Sequence, residues 1–233
     1  MILSVITLFP KMFDSVFEHS IISRAIKSKK IIINIYQLAN FAKSTNSSRK
    51  IIDSSPYGGG PGMVLRPEPL YDAVKKIKEN NLPNESKVIL LSPQGKKYNF
   101  DRAKNISNEK SVILVCGHYE GVDQRFIDLC VDEELSIGDY ILTGGEIPAM
   151  VVIDSVTRLL VGVLGNENSS KSDSFSDEFS YLKGPVYSRP REFLGLNVPG
   201  ILLNGNHKEI ENWRSEESQK KTMDNRPDLL NQK

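Results

Sequence analysis

Four runs of apolar residues in the first half of the chain have the length and composition of β-strands. They are rich in Ile, Val and Leu and occupy residues 1–8, 31–38, 87–92 and 111–116. Unbroken apolar runs of this kind are typical of strands whose two faces are both covered. We therefore expect a sheet that is buried between two layers of helices.

Helical patterns lie between and after these runs. Apolar residues recur at helical spacing over 11–28, 67–80, 122–131 and 147–161, so each segment can form a helix with one buried face. Strands that alternate with helices predict an α/β fold, with a mostly parallel sheet and helices on both faces.

The composition changes near residue 165. Residues 165–184 are polar and rich in serine, without a hydrophobic period, which is typical of a flexible linker. Beyond them the chain is short and polar, with one helical run near 207–221. We therefore predict a first domain over 1–164, a linker over 165–184 and a small, mainly helical domain over 185–233.

Composition and charge exclude several classes of protein. The chain has 233 residues and a net charge of +1, so a nucleic-acid site would have to be a local patch. Cys116 and Cys130 lack metal-binding spacing and are typical of buried free thiols in a reducing compartment, and no metal ligands are predicted. The amino-terminal apolar run lacks the marks of a signal peptide, and no run is long enough to span a bilayer. We expect a cytoplasmic protein.

Two glycine-rich segments each follow a strand-like run and lead into a helical pattern. They are residues 116–126 and 136–150. Glycine lets a ligand approach the main chain closely, because no Cβ is in the way. Loops at the carboxyl ends of strands form the ligand crevice of open α/β sheets. The two segments therefore predict a binding crevice.

Three other features are ambiguous from residue types alone. Residues 56–63 hold four glycines but lack the Gly-Lys-Ser/Thr ending of a phosphate loop, so a flexible turn is the simpler interpretation. Asp154 and Arg158 form either a local ion pair or an arginine held ready for an anion. Asp173 is either solvated or brought to the crevice by closure of the linker, with Phe175 as an anchor.

Several motifs spread over essentially the whole chain occur together in one known family. They lie at 9–13, 56–63, 92–95, 117–123, 136–150, 173–175, 188–190, 205–207 and 213–214. With them the chain resembles the bacterial tRNA (guanine-N1)-methyltransferases of the TrmD family, in the SPOUT superfamily. The run over 136–150 is the most specific part of the resemblance.

The resemblance implies a fold that composition does not predict. In this family the chain near 111–145 forms a deep trefoil knot, and a small helical C-terminal domain contributes to tRNA binding. The family works as a homodimer whose active site lies between the subunits, with one subunit contributing the knot loops and the other the linker and small domain.

The resemblance also implies a cofactor and a substrate. S-adenosylmethionine is expected in the knot crevice, held mainly by main-chain groups, and a dependence on Mg²⁺ is implied without assigned ligands. The substrate is a tRNA with guanine at position 37, just 3′ of the anticodon, preceded by G36. The implied cofactor-binding residues are Leu91, Gly117, Ile137, Gly138, Asp139, Tyr140, Ile141, Leu142, Gly144, Gly145 and Pro148.

Three side chains are implied to act in the reaction. N1 of neutral guanine carries a proton, so a base must remove it as the methyl group arrives. Asp173 aligns with the base of the family, and Arg158 aligns with an arginine that can stabilise charge developing on O6. Glu120 aligns with an acidic residue near the target guanine and the methionine end of the cofactor.

Two other functions remain open at this point. Another SPOUT RNA methyltransferase would modify a ribose 2′-oxygen, although the setting of Asp173 argues against it. A non-catalytic RNA-binding module would tolerate loss of the Asp173 carboxylate.

Overall fold

The computed structural model describes residues 1–44, 50–80, 86–165, 173–176 and 181–231. Within them the chain divides into two compact units, Met1–Gly165 and Asn166–Lys233. The linker predicted over 165–184 includes residues 166–172 and 177–180, which lie outside the described part of the chain.

The first unit is built on five parallel strands in the order β2-β1-β6-β5-β7. These strands are β1 (Ile2–Thr7), β2 (Ile32–Gln37), β5 (Ser86–Lys97), β6 (Ser111–Cys116) and β7 (Glu133–Ser136). A two-stranded antiparallel pair, β3 (Asp53–Ser54) and β4 (Val64–Leu65), lies apart from this sheet. The predicted α/β fold with a mostly parallel sheet is therefore confirmed.

Helices cover both faces of the sheet. Those of the first unit are α1 (Asp14–Phe17), α2 (Ser20–Lys27), α3 (Pro67–Asn80), α4 (Phe100–Ser107), α5 (Gln124–Cys130) and α6 (Glu146–Thr157). Residues of α2, α4 and α6 share one apolar cluster, and residues of α3 and α5 share another. All six residues of β6 are buried, and its side chains alternate between the two clusters, as the period of a strand requires.

The structure differs from the predicted elements in several places. The segment 11–28 forms a 3-10 turn, Pro10–Phe13, and two short helices; between them His19 is extended and Ser20 has a φ of 59°, which interrupts the helix. Helix α4 was not predicted, and β7 was indicated only as a strand-like run before residue 136, without bounds; both elements are short and rich in polar residues. Strand β5 extends five residues beyond the predicted end at 92, to Lys97, with a register shift between Leu91 and Lys96.

The second unit contains one long helix and a small hairpin. The described elements are β8 (Glu192–Phe193), β9 (Leu196–Asn197), a 3-10 turn at Gly200–Leu203, α7 (His207–Asn225) and a 3-10 turn at Pro227–Asn231. The backbone N–H of Leu182 donates to Thr222 Oγ1 at 2.9 Å, and the Ser218 hydroxyl donates to the Leu182 carbonyl. These bonds fasten the chain before the hairpin to α7.

Candidate active site

A crevice of about 540 Å³ opens at the carboxyl ends of β5, β6 and β7. Its volume is in the range of small-molecule sites. Asp139, which was predicted with the cofactor-binding residues, is not among the lining residues; its carboxylate lies 3.7 Å from Lys97 Nζ and is 90% exposed. The other predicted cofactor residues line the crevice, together with Glu120: Leu91, Gly117, Ile137, Gly138, Tyr140, Ile141, Leu142, Gly144, Gly145 and Pro148.

The two glycine-rich loops are in direct main-chain contact. The N–H of Gly145 donates to the Gly117 carbonyl at 2.9 Å. A Cβ on Gly145 would lie 2.6 Å from Cys116 Cα, closer than real atoms approach. The close contact therefore requires glycine at 145 and leaves main-chain groups of both loops at the crevice wall.

Glu120 lies in the loop after β6, beside the glycine-rich segment 56–63. Its N–H donates to the Met63 carbonyl at 3.0 Å, and the Leu65 N–H donates to the Gly121 carbonyl at 2.9 Å. Glu120 is exposed and lines the crevice. The segment 56–63, ambiguous from sequence, is thus fastened next to a predicted active-site carboxylate.

A buried hydrogen-bonded group beneath the loops was missed from the sequence. The Thr7 hydroxyl donates to Glu146 Oε1 at 2.6 Å, and His118 Nε2 lies 2.6 Å from Glu146 Oε2. The Glu146 side chain is only 2% exposed. These three residues are far apart in sequence, and the only local signal is an acidic residue directly after a Gly-Gly pair.

Cys116 ends β6 at the same place. Burial raises the pKa of the Cys116 thiol well above its ordinary value, and the Glu146 carboxylate raises it further. The thiol therefore stays protonated near neutral pH, as a buried structural cysteine does.

Glu134 lines the crevice and has, within the described part of the chain, one buried oxygen without a hydrogen-bond partner, Oε2. The residue lies on β7 opposite Leu90 of β5. A buried oxygen of this kind is costly unless a donor reaches it. A small change of the Glu134 side chain would bring this oxygen to a polar ligand in the crevice, beside the main-chain groups of the loops.

Arg158 lies at the end of α6. The helix ends at Thr157, short of the predicted 161, and the Arg158 N–H donates to the Asp154 carbonyl at 3.2 Å. The side chain is exposed, which suits a role in meeting an anion or a polar base edge.

Asp173 belongs to the second unit, in a turn held by two cations. The Lys183 N–H donates to Ser174 Oγ at 2.9 Å, and Lys183 Nζ lies 3.6 Å from Asp173 Oδ1. The Arg226 guanidinium lies 5.9 Å from the centre of the Phe175 ring. The side chain of Phe175 therefore anchors this turn within the second unit.

The described residues contain no cluster of three or more His, Cys, Asp or Glu side chains that could hold a metal ion. Among the same residues, no helix is long and apolar enough to cross a membrane.

Comparison with known proteins gives consistent matches over the full length. The model of the family described as tRNA (Guanine-1)-methyltransferase TrmD matches residues 1–232. The chain is 48% identical over 225 residues to the tRNA (guanine-N(1)-)-methyltransferase of Clostridioides difficile, covering 97% of this chain and 95% of that protein. It is 48% identical to the protein of the same name from Anoxybacillus flavithermus, over 98% of this chain and 91% of that one. For the Listeria monocytogenes protein the identity is 46%, with the same two shares covered.

Proposed function

The chain belongs to the TrmD family of tRNA (guanine-N1)-methyltransferases, and we propose that it methylates guanine 37 of tRNA with S-adenosylmethionine bound in the crevice. Transfer of a methyl group to N1 of guanine in tRNA is the activity of this family, and a methyltransferase of this family uses S-adenosylmethionine. The position of the guanine, the residues and the steps below belong to the proposal.

The contact between the two glycine-rich loops is the observation that carries this proposal. It places main-chain N–H and C=O groups along one wall of the crevice, where they can pair with the edge of an adenine. The buried, unpaired Oε2 of Glu134 supplies an acceptor for an N–H or O–H group of the cofactor. When bound, S-adenosylmethionine supplies an activated methyl group on its sulfonium.

Asp173 is the proposed base. It would take the proton from guanine N1 as that atom attacks the methyl carbon and the methyl–sulfur bond breaks, with S-adenosylhomocysteine as the leaving group. An ordinary carboxylate has a pKa of about 4 and is a weak base, so the site must also stabilise the charge that N1 and O6 acquire. Positioning the guanine next to the methyl group supplies a further part of the rate enhancement.

Arg158 is the proposed partner of guanine O6. Its guanidinium carries a permanent charge and directional donors, which stabilise negative charge on a carbonyl oxygen. Because Arg158 is exposed at the end of α6, its side chain is accessible to a guanine that has rotated out of the base stack of the tRNA. Glu120, on the crevice wall, is proposed to hydrogen-bond the guanine edge.

Four further parts of the proposal come from family membership. They are a trefoil knot near 111–145, a homodimer with its active site between subunits, a preference for G36, and a cytoplasmic location where tRNA is modified. The Mg²⁺ requirement implied by the resemblance has no support in the described residues, and no step depends on it.

The decisive experiment identifies the methylated atom. Purified protein, S-adenosylmethionine and a tRNA with G36 and G37 should give 1-methylguanosine after nuclease digestion. A tRNA with adenosine at 37 should give none, and one with adenosine at 36 should react more slowly. Appearance of 2′-O-methylguanosine instead would overturn the assignment. Absence of any product from folded, cofactor-binding protein would favour a non-catalytic RNA-binding module.

A further inference from the structure

We propose that Thr7, His118 and Glu146 form a positioning group, the Glu146 triad, that holds the two glycine-rich loops at the separation needed for S-adenosylmethionine. This inference rests on the proposed cofactor site. None of the three side chains needs to touch the reacting atoms.

The triad joins three separate elements at the base of the crevice, and His118 is one of the residues that line it. Thr7 ends β1, His118 follows β6, and Glu146 is the first residue of α6. The two hydrogen bonds of 2.6 Å occupy both oxygens of the Glu146 carboxylate. Thr7 Oγ1 in turn accepts from the Phe9 N–H at 2.9 Å. One side chain thus links the end of a strand, a loop and the start of a helix.

The burial of the Glu146 carboxylate explains why this side chain is held in one position. A buried carboxylate is tolerated only when its oxygens are paired, and Glu146 is 2% exposed. The Thr7 hydroxyl donates to one oxygen of Glu146, and an imidazole that carries its proton on Nε2 donates to the other. The position of Glu146 in the first turn of α6 adds a favourable interaction with the helix dipole. Glu146 therefore has one well-satisfied position, which fixes His118 as well.

His118 in turn supports the second glycine-rich loop, residues 136–150. Its main chain forms an antiparallel bridge with Gly144, and a Cβ on Gly144 would lie 2.1 Å from the imidazole. The Phe9 ring packs edge-on against the same imidazole, with ring centres 5.2 Å apart. Without the imidazole, the Gly144–Gly145 corner loses the surface that supports it. The crevice wall formed by that corner then becomes mobile.

The test compares Glu146→Gln, His118→Ala, His118→Gln and Thr7→Val with the wild type. We expect Glu146→Gln and His118→Ala to weaken S-adenosylmethionine binding by calorimetry roughly tenfold or more, the size expected for losing a hydrogen bond to a charged group. The KM for the cofactor should rise, whereas kcat at saturating cofactor should change less than about threefold. His118→Gln, which keeps a donor, should recover part of the affinity.

A second readout needs no cofactor. Exchange of the Gly145 amide hydrogen, which is bonded to the Gly117 carbonyl, should become faster in the free protein when the triad is broken. Tyr98→Phe is the matched control: it removes a hydrogen bond to Ser155 of the same helix away from the loops. It should leave both the affinity and the Gly145 exchange rate unchanged.

The outcomes separate this inference from the proposed function. A wild-type protein that binds no S-adenosylmethionine would overturn the proposed function. Wild-type affinity and wild-type Gly145 exchange in folded His118→Ala and Glu146→Gln would overturn the triad alone. If Glu146→Gln does not fold, the milder variant Thr7→Val provides the test. We expect it to bind S-adenosylmethionine more weakly than the wild type. Unchanged affinity in this variant would contradict the proposal.

Discussion

A Cβ atom on Gly62 would lie 2.4 Å from Oε1 of Glu120 and 2.5 Å from its Cγ. Glycine at 62 is therefore what leaves room for the Glu120 side chain in its observed position. The glycine-rich segment 56–63 shapes the active site through this contact, with no need to bind phosphate.

Gly62→Ala should displace Glu120 and lower kcat for tRNA methylation about tenfold, while cofactor affinity stays close to wild type. Gly59→Ala is a matched control, because both glycines have a φ of +80° and nothing lies within 4 Å of a Cβ at Gly59. Both variants carry the same backbone strain, so steady-state kinetics of the pair isolates the clash with Glu120. Equal losses in the two would contradict the positioning role of Gly62.

Asp173→Asn should lower kcat by about a hundredfold or more, the usual contribution of a general base, with little change in cofactor affinity. The amide keeps the size of the side chain but cannot take the proton. Asp224→Asn, an exposed position on α7, is the control and should react like wild type. Single-turnover assays with saturating tRNA measure the step directly, and a fully active Asp173→Asn would remove this residue from the mechanism.

Glu134→Ala should weaken S-adenosylmethionine binding roughly tenfold, because the unpaired Oε2 is the proposed acceptor for the cofactor. Glu134→Gln keeps an oxygen at this place and should lose less. Calorimetric titration checks both.

Glu133→Gln provides the comparison for Glu134. Glu133 is the preceding residue on β7, and its carboxylate pairs with Arg102 and Lys87. This variant should change thermal stability and leave the affinity unchanged. Wild-type affinity in Glu134→Ala would show that the cofactor does not use this oxygen.

Asp123 should stabilise the fold in a pH-dependent manner. Its side chain caps α5, and hydrogen bonds from Arg125 hold the pKa of the carboxyl below its ordinary value, with burial opposing them. A lowered folded pKa means that the contribution is complete above the unfolded pKa of about 3.9 and is lost as pH falls through the folded value. Asp123→Ala should therefore lower the free energy of unfolding by about 1 kcal/mol at pH 7.

Denaturant unfolding at pH 7 and near pH 3 tests this dependence. The deficit of Asp123→Ala should shrink at the lower pH, whereas Asp123→Asn, which keeps a capping oxygen, should lie between Ala and wild type at pH 7. A deficit of the same size at both pH values would show that the ionised carboxylate is not the cause.

Local signals in the sequence were sufficient for the long elements. Helix α3 has the predicted bounds of 67–80, because a proline suits its first turn and its apolar period is clear. Helix α4 has only eight residues with several charges, so its pattern is too short to stand out. The bounds of strand β7 could not be predicted for a similar reason, since its first two residues, Glu133 and Glu134, are acidic.

The candidate site likewise contains features that the sequence could predict and features that it could not. The crevice loops could be located because each has several glycines within a short stretch of sequence that follows a strand. The Glu146 triad could not be predicted, because Thr7 and Glu146 are 139 positions apart in sequence. The two residues meet only after β1 and β6 have paired. The orphaned oxygen of Glu134 depends on what packs around it, which no local pattern encodes.

The main-chain contact between Gly145 and Gly117 has a consequence for inhibition. A molecule that copied the proposed pairing of the cofactor with other main-chain groups of these two loops would leave the enzyme few routes to resistance. A substitution does not remove a main-chain amide or carbonyl, and a Cβ added at Gly144 or Gly145 collides with the protein itself. Escape would then have to come from the rim of the crevice, at residues such as Ile141, which is 81% exposed.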